Sequence, residues 1–238
     1  MKKHTFILNT CVGLLAYSTV ATSSPASTEY VNSRIKEAVD NVLLQVTQEH
    51  NTIESKINVI PVVTLHEIGE SYQGGIVFWV DETRQHGLIV AKIDANQGAG
   101  IQWQNGDSGD KITNARGNGL YAGLSNTHLI VGQQTIDDQE GNFAALSAQS
   151  FSVLSDGVSS CTDAKVCYGN WYLPSFNELQ LLRTNLYNKG IGNFSEGLYW
   201  SSNEDSVNQA KSLHWVSGEL TLSDKSSAEP KVRAIHAF

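Results

Sequence analysis

A seam of β-branched residues that runs into a proline constrains this chain more than any other feature. Ile35, Val39, Val42, Val46, Glu49 and Ile53 recur at alternating four- and three-residue steps, the spacing that lines side chains along one stripe of an α-helix. The pattern continues imperfectly to Ile57 and Ile60, and Pro61 ends it because proline has no amide hydrogen and clashes with the preceding turn. A helix of about 30 residues is about 45 Å long. Ile and Val in successive core positions, where a dimer places leucine in one of the two, shift preference toward three strands or more. Ile35, Val39, Val42, Val46 and Ile53 are therefore read as oligomerisation residues of a coiled-coil-type helix, within a linker and stalk spanning 22–61, and the assembly as a homotrimer. The competing reading is one amphipathic helix packed on its own globular domain, since the heptads are few and Glu49 interrupts them.

Ahead of the stalk, Lys2, Lys3 and His4 precede an apolar stretch from Thr5 through Ala21, with Thr19 and Ala21 placed as a cleavage signal requires. Residues 1–21 read as a secretory signal peptide. Asn9, Thr10, Gly13, Ser18 and Thr19 break the stretch, which falls short of the ~20 apolar residues of a membrane span. The expected product is secreted or displayed at the cell surface, with no membrane span after signal removal.

The full chain has 16 Lys+Arg against 24 Asp+Glu, and losing the leader removes two lysines and no acid, leaving 14 bases. That balance excludes a general nucleic-acid binder. A hydrophobic content of 40% excludes a disordered tail, and 20 Gly with 4 Pro exclude collagen. Cys11 departs with the leader, so Cys161 and Cys167 are the thiols left to an oxidising compartment, and a disulfide is the economical reading. A metal site or redox pair fits less well, because the spacing is not C-x-x-C and no second cysteine pair lies near. A crosslink over so short a loop contributes about 2 to 3 kcal/mol.

From Tyr72 the apolar period shortens. Residues 74–80 read as a buried strand and 87–91 as its hairpin partner, with 100–104 as a short further strand closed by Asn105-Gly106. Residues 105–119 read as an ordered loop, and 120–131 and 143–154 as weakly helical. In Asn170-Trp171-Tyr172-Leu173-Pro174-Ser175-Phe176-Asn177-Glu178-Leu179, Ser175 and Glu178 have the spacing of a capping box opening a helix that buries Phe176, Leu179, Leu182 and Leu186. Residues 198–202, 212–216 and 231–238 read as three antiparallel strands. Strands, then helices, then strands give an α+β domain whose terminal strands pair.

Six blocks carry a resemblance: Tyr72 to Val80, Gln85 to Ile89, Gly100 to Trp103, Tyr168 to Ser175, Tyr199 to Ser202, and Val232 to Phe238. In this order they resemble the family of Lcl C-terminal-like domains, the globular tip of a collagen-like adhesin, over residues 70–238. The resemblance implies a modified C-type-lectin-like domain and trimeric assembly. It also implies surface display and binding of extracellular glycans, sulfated glycosaminoglycans among them, in adhesion, biofilm formation and virulence. The seam from Ile35 to Ile60 stands where that family carries a Gly-X-Y stalk. A sulfate-binding surface needs clustered Lys and Arg, whereas the 14 bases are dispersed through an acidic chain.

Lys111 with Arg116, and Arg183 with Lys189, are the candidate ligand-binding pairs, with solvated surface charge as the competing reading. Among Trp79, Trp103, Trp171, Trp200 and Trp215, core packing is the expected role, and Trp103 beside the Asn105-Gly106 turn is the candidate for stacking on a sugar. His66-Glu67-Ile68-Gly69-Glu70 lacks the second histidine of a zinc helix, and Asp137, Asp138, Glu140 and Asn142 depart from calcium-loop spacing. No metal, cofactor or catalytic residue is expected, since no nucleophile elbow, P-loop or dinucleotide fingerprint occurs. The reading is a non-enzymatic binding module for an extracellular glycan or surface polymer. The alternatives are an envelope interaction protein that binds a protein partner and, more remotely, a formylglycine-generating-type oxidase working through free cysteines.

Overall fold

The computed structural model describes residues 27–57, 63–162 and 165–238, in two units divided after Val62. The signal-peptide reading, the linker at 22–26 and the proline stop at Pro61 lie outside the described residues.

In the first unit, α1 (Thr28–Ile57) is one unbroken helix. Ser27 Oγ accepts a hydrogen bond from the Tyr30 amide at 3.3 Å, satisfying a first-turn donor. Ile35, Val39, Val42, Val46 and Ile53 are each 38–57% exposed, so the stripe lies open on the helix surface. No helix among the described residues is long and apolar enough to cross a membrane.

The second unit has an α+β fold. Its elements run β1 (Ser71–Tyr72), β2 (Gly75–Val80), β3 (Gly87–Ala91), α2 (Ala122–Gln134), α3 (Ala144–Gln149), α4 (Phe176–Asn185), β4 (Leu198–Glu204), β5 (Gln209–His214), β6 (Leu220–Asp224) and β7 (Ile235–Ala237). One antiparallel sheet has the order β1-β2-β3-β7 and the other β4-β5-β6. The β2–β3 hairpin pairs Gly75 with Ala91 and Val77 with Ile89, with a slip between Val77 and Trp79. Gly87 is required there: a Cβ on it would stand 2.2 Å from the Trp79 carbonyl oxygen.

The last strand of this unit returns to the first sheet, beside β3 rather than the first strand β1. Leu88 faces Ala237 and Val90 faces Ile235, and the backbones of Gly87 and Phe238 exchange two hydrogen bonds of 3.0 Å. β3 is thereby buried on both faces, which explains its unbroken apolar run. Ile89 and Ala91 join Val77, Trp103, Trp171 and Trp200 in one core. Leu88 and Val90 point the other way, to Phe78, Leu179, Leu182 and Trp215.

Three local expectations are corrected. Residues 100–104 form no strand; Ile101 and Trp103 instead donate backbone hydrogen bonds to the carbonyls of Pro230 and Lys225 at 3.0 and 2.9 Å. The helix expected over 143–154 is only α3. The third strand of the later sheet is β6, not 231–238; Lys231 touches β4 through a parallel bridge to Tyr199, and β7 belongs to the first sheet.

α4 opens on the capping box. Ser175 Oγ accepts from the Glu178 amide at 3.2 Å, and Glu178 Oε2 accepts from the Ser175 amide at 2.7 Å. The same carboxylate accepts from the amides of Tyr121 at 2.7 Å and Gly123 at 3.2 Å, so one side chain caps both α4 and α2. Burial pushes its carboxyl above the ordinary carboxylate range, against the opposite pull of these donors.

Candidate functional site

The second unit carries a groove of about 550 Å³ lined by three separate segments, residues 93–97, 142–153 and 158–161. The first segment leaves β3 and is tied down by backbone hydrogen bonds from Ala91 to Ala234 and from Ala95 to Val232, both 2.9 Å. Beneath it Asp94 meets Arg233, with Nε to Oδ1 at 2.5 Å and both side chains nearly inaccessible. Arg233 also donates to the carbonyls of Ala91 at 3.0 Å and Asn193 at 2.7 Å, and its guanidinium lies 4.5 Å from the Phe194 ring centre. The other Asp94 oxygen accepts from Ser195 Oγ at 3.1 Å and Tyr199 Oη at 3.0 Å. This buried network holds the groove floor in one geometry.

Above that floor the chain turns through Asn96, Gln97 and Gly98 with φ of 52°, 55° and 80°, three left-handed residues in succession. Two of them carry a side chain, which costs backbone energy that glycine avoids. The second segment contributes Asn142, Ser147 of α3 and the residues after it, with Phe151 edge-on to Trp171 at 5.5 Å. Val153 and Tyr168 exchange backbone hydrogen bonds of 3.1 and 2.8 Å and fix this wall.

The third segment is a turn braced at both ends. Asp156 accepts from the amides of Val158 and Ser159, both at 2.9 Å, and from Ser159 Oγ at 2.5 Å. The Ser159 hydroxyl first, then the two amides, hold the Asp156 carboxyl down at about 2. Beyond it Cys161 and Cys167 form the disulfide read from the sequence, with Cα atoms 5.5 Å apart.

The residues singled out in the sequence do not converge on one site. Trp103 is corrected: it is fully buried, donates from Nε1 to the Ser201 carbonyl at 2.9 Å, and has the Lys225 ammonium 4.8 Å from its ring centre. No face of it is open to a sugar. Its burial follows from a cluster in which Lys225 Nζ meets Glu204 Oε1 at 2.7 Å, both side chains inaccessible, while the Glu204 carboxylate accepts from the amides of Thr113 and Asn114 at 2.7 Å. Trp171, Trp200 and Trp215 are buried as expected.

Lys111 pairs with Asp137. Arg183 donates to the carbonyls of Trp215 at 2.7 Å and Val216 at 2.5 Å, closing the turn between β5 and β6. Arg116 and Lys189 are exposed. His66 is buried between Tyr72 and Phe238 with Nδ1 3.1 Å from Glu70, so the His-Glu segment packs the domain edge. Asp138 accepts from the Glu140 amide at 3.0 Å within its own loop. Among the described residues no group of three or more His, Cys, Asp or Glu could hold a metal ion.

Sequence reading passed over Asn96, Gln97, Ser147 and Phe151. The available signal was compositional: serines recur at 147, 150, 152, 155, 159 and 160 around a disulfide loop, opposite the turn residues Asn96-Gln97-Gly98. In comparison with known proteins, no family model and no curated protein matches this chain.

Proposed function

We propose that the chain is a stalk-borne, homotrimeric, adhesin-like binding protein of the cell exterior, whose modified lectin-like domain engages an extracellular glycan. The observation that carries this reading is the groove: a preformed concavity on rigid supports, walled by hydroxyl and amide side chains with an aromatic beside them, matches a ligand that offers hydroxyls on its edges and C–H groups on its faces. The open β-branched stripe of α1 supports the trimer, since burying it between chains removes apolar surface from water. Three modest sites on one assembly gain avidity without a new contact. The disulfide supports an oxidising destination, and it occupies the two cysteines that an oxidase reading would require as thiolates.

A glycan array probed with the full secreted chain at low and high salt tests the proposal. Binding to a defined set of glycans is expected. Capture of a protein partner with no glycan bound at either salt would establish the envelope interaction reading instead.

A further inference from the structure

We infer that the groove takes an uncharged, polyhydroxylated chain, a neutral oligosaccharide, rather than a sulfated or uronic polymer. The inference rests on the glycan-binding proposal and narrows it to one chemical class.

Charge argues first. Asp94 is the sole ionisable side chain in the lining, and both of its oxygens are taken, one by Arg233 at 2.5 Å and the other by Ser195 and Tyr199 at 3.1 and 3.0 Å. A sulfate or carboxylate entering the groove would lose water and find no Lys or Arg among the lining residues, the Lys92 stem lying beside Gly157 next to the lining. The candidate basic residues Lys111, Arg116, Arg183 and Lys189 lie outside the lining, and Lys111 and Arg183 are already engaged by Asp137 and by the Trp215 and Val216 carbonyls.

Hydrogen-bonding capacity argues second. The hydroxyls of Ser147, Ser150, Ser152 and Ser160 and the amide of Gln97 line the groove and make no side-chain hydrogen bond among the described residues. Each of these groups both donates and accepts, as a sugar hydroxyl does. Phe151, half-buried and held edge-on by Trp171, adds an apolar surface alongside exposed Ile93 and Val158. The volume of about 550 Å³ lies inside the roughly 300 to 1,000 Å³ of small-ligand sites. The left-handed run from Asn96 to Gly98 is backbone strain kept at the groove rim, where it sets the direction of two amide side chains.

The test is calorimetric titration of the full chain, in the presence of a chelator and at low and high salt, with a panel of neutral trisaccharides and a heparin-derived hexasaccharide. A neutral member is expected to bind with an affinity that salt and chelator leave unchanged. Gln97→Ala, at an exposed position, and Ser147→Asp, which puts a charge in the wall, are each expected to weaken it about tenfold, while Arg116→Ala leaves it unaltered. Near-ultraviolet circular dichroism from the buried tryptophans confirms that each variant is folded. Neutral binding that ignores both groove substitutions would overturn the assignment. So would binding of the heparin fragment alone, lost with salt and with Arg116→Ala, although glycan binding itself would then stand. A folded chain that binds neither class, on the panel or on the array, overturns both proposals.

Discussion

Gly123 lies so close to the carboxylate of Glu178 that a Cβ on it would stand 2.5 Å from Oε2, with the Leu173 carbonyl oxygen at 2.6 Å and the Ser175 nitrogen at 2.7 Å. The helix start at α2 and the capping box of α4 are built around one another. Gly123→Ala is expected to lose about 1 to 3 kcal/mol by overpacking a site with no soft neighbour. Glu178→Gln turns one acceptor oxygen into a donor against backbone amides and is expected to lose about 1 to 3 kcal/mol. Urea denaturation followed by tryptophan fluorescence measures both, and an unchanged midpoint in either variant would refute the shared-cap account.

Lys225 and Glu204 form an ion pair with no solvent contact. Lys225→Met keeps much of the side-chain volume and leaves Glu204 charged and unpaired, so a loss of about 3 to 5 kcal/mol is expected. Hydrogen exchange supplies the local readout: the amides of Thr113 and Asn114, held by Glu204, should lose protection before those of β2 and β3.

His236 titrates against the fold. Burial lowers its pKa, the contact of Nδ1 with the Asn170 carbonyl pulling the other way. The unfolded chain therefore takes up a proton first as the pH falls. The stability contribution is complete above the ordinary histidine value of about 6.5 and declines below it toward the lower folded value. Urea midpoints should drop between about pH 7 and about pH 5, and His236→Gln should flatten that slope. Asp156 has the same sign in a lower window: its contribution is present above the ordinary carboxylate pKa and is lost as the pH falls toward about 2. The groove wall it braces should survive mild acid.

Glu49 occupies a core position of the stalk seam, between Val46 and Ile53. In the proposed trimer three carboxylates face one axis, so Glu49→Ile should strengthen association, by about 1 to 3 kcal/mol per chain from apolar burial. Sedimentation velocity and helix melting report it, and a monomer in both the wild type and Glu49→Ile would sink the trimer.

Local signals carried much of this fold. The heptad spacing of Ile35 to Ile53 marks α1, Ser175 and Glu178 mark α4, and the flanking turns mark the β2–β3 hairpin, because each depends on residues within a few positions. β6 was also legible in the alternation of Leu220-Thr221-Leu222-Ser223 and was missed in favour of the longer terminal run. Trp103 was not legible. Its burial depends on Ser201 and Lys225, more than ninety residues on, and a lysine under a tryptophan breaks every rule of apolar patterning. The groove hid for a related reason. Its three segments are ordinary turn and serine-rich stretches, each held by partners distant in sequence or by its own turn: Asp94 by Arg233, Val153 by Tyr168, and Val158 and Ser159 by Asp156.

The pairing of β7 with β3 also governs the order of folding. β3 has its second neighbour only when a strand about 150 residues further along arrives, and so high a sequence separation makes the pairing slow. Until then the hairpin exposes an unsatisfied edge of Leu88, Ile89 and Val90. Synthesis cannot complete this sheet piece by piece, and a chain shortened before Ile235 leaves its most apolar strand available to any other open edge it meets.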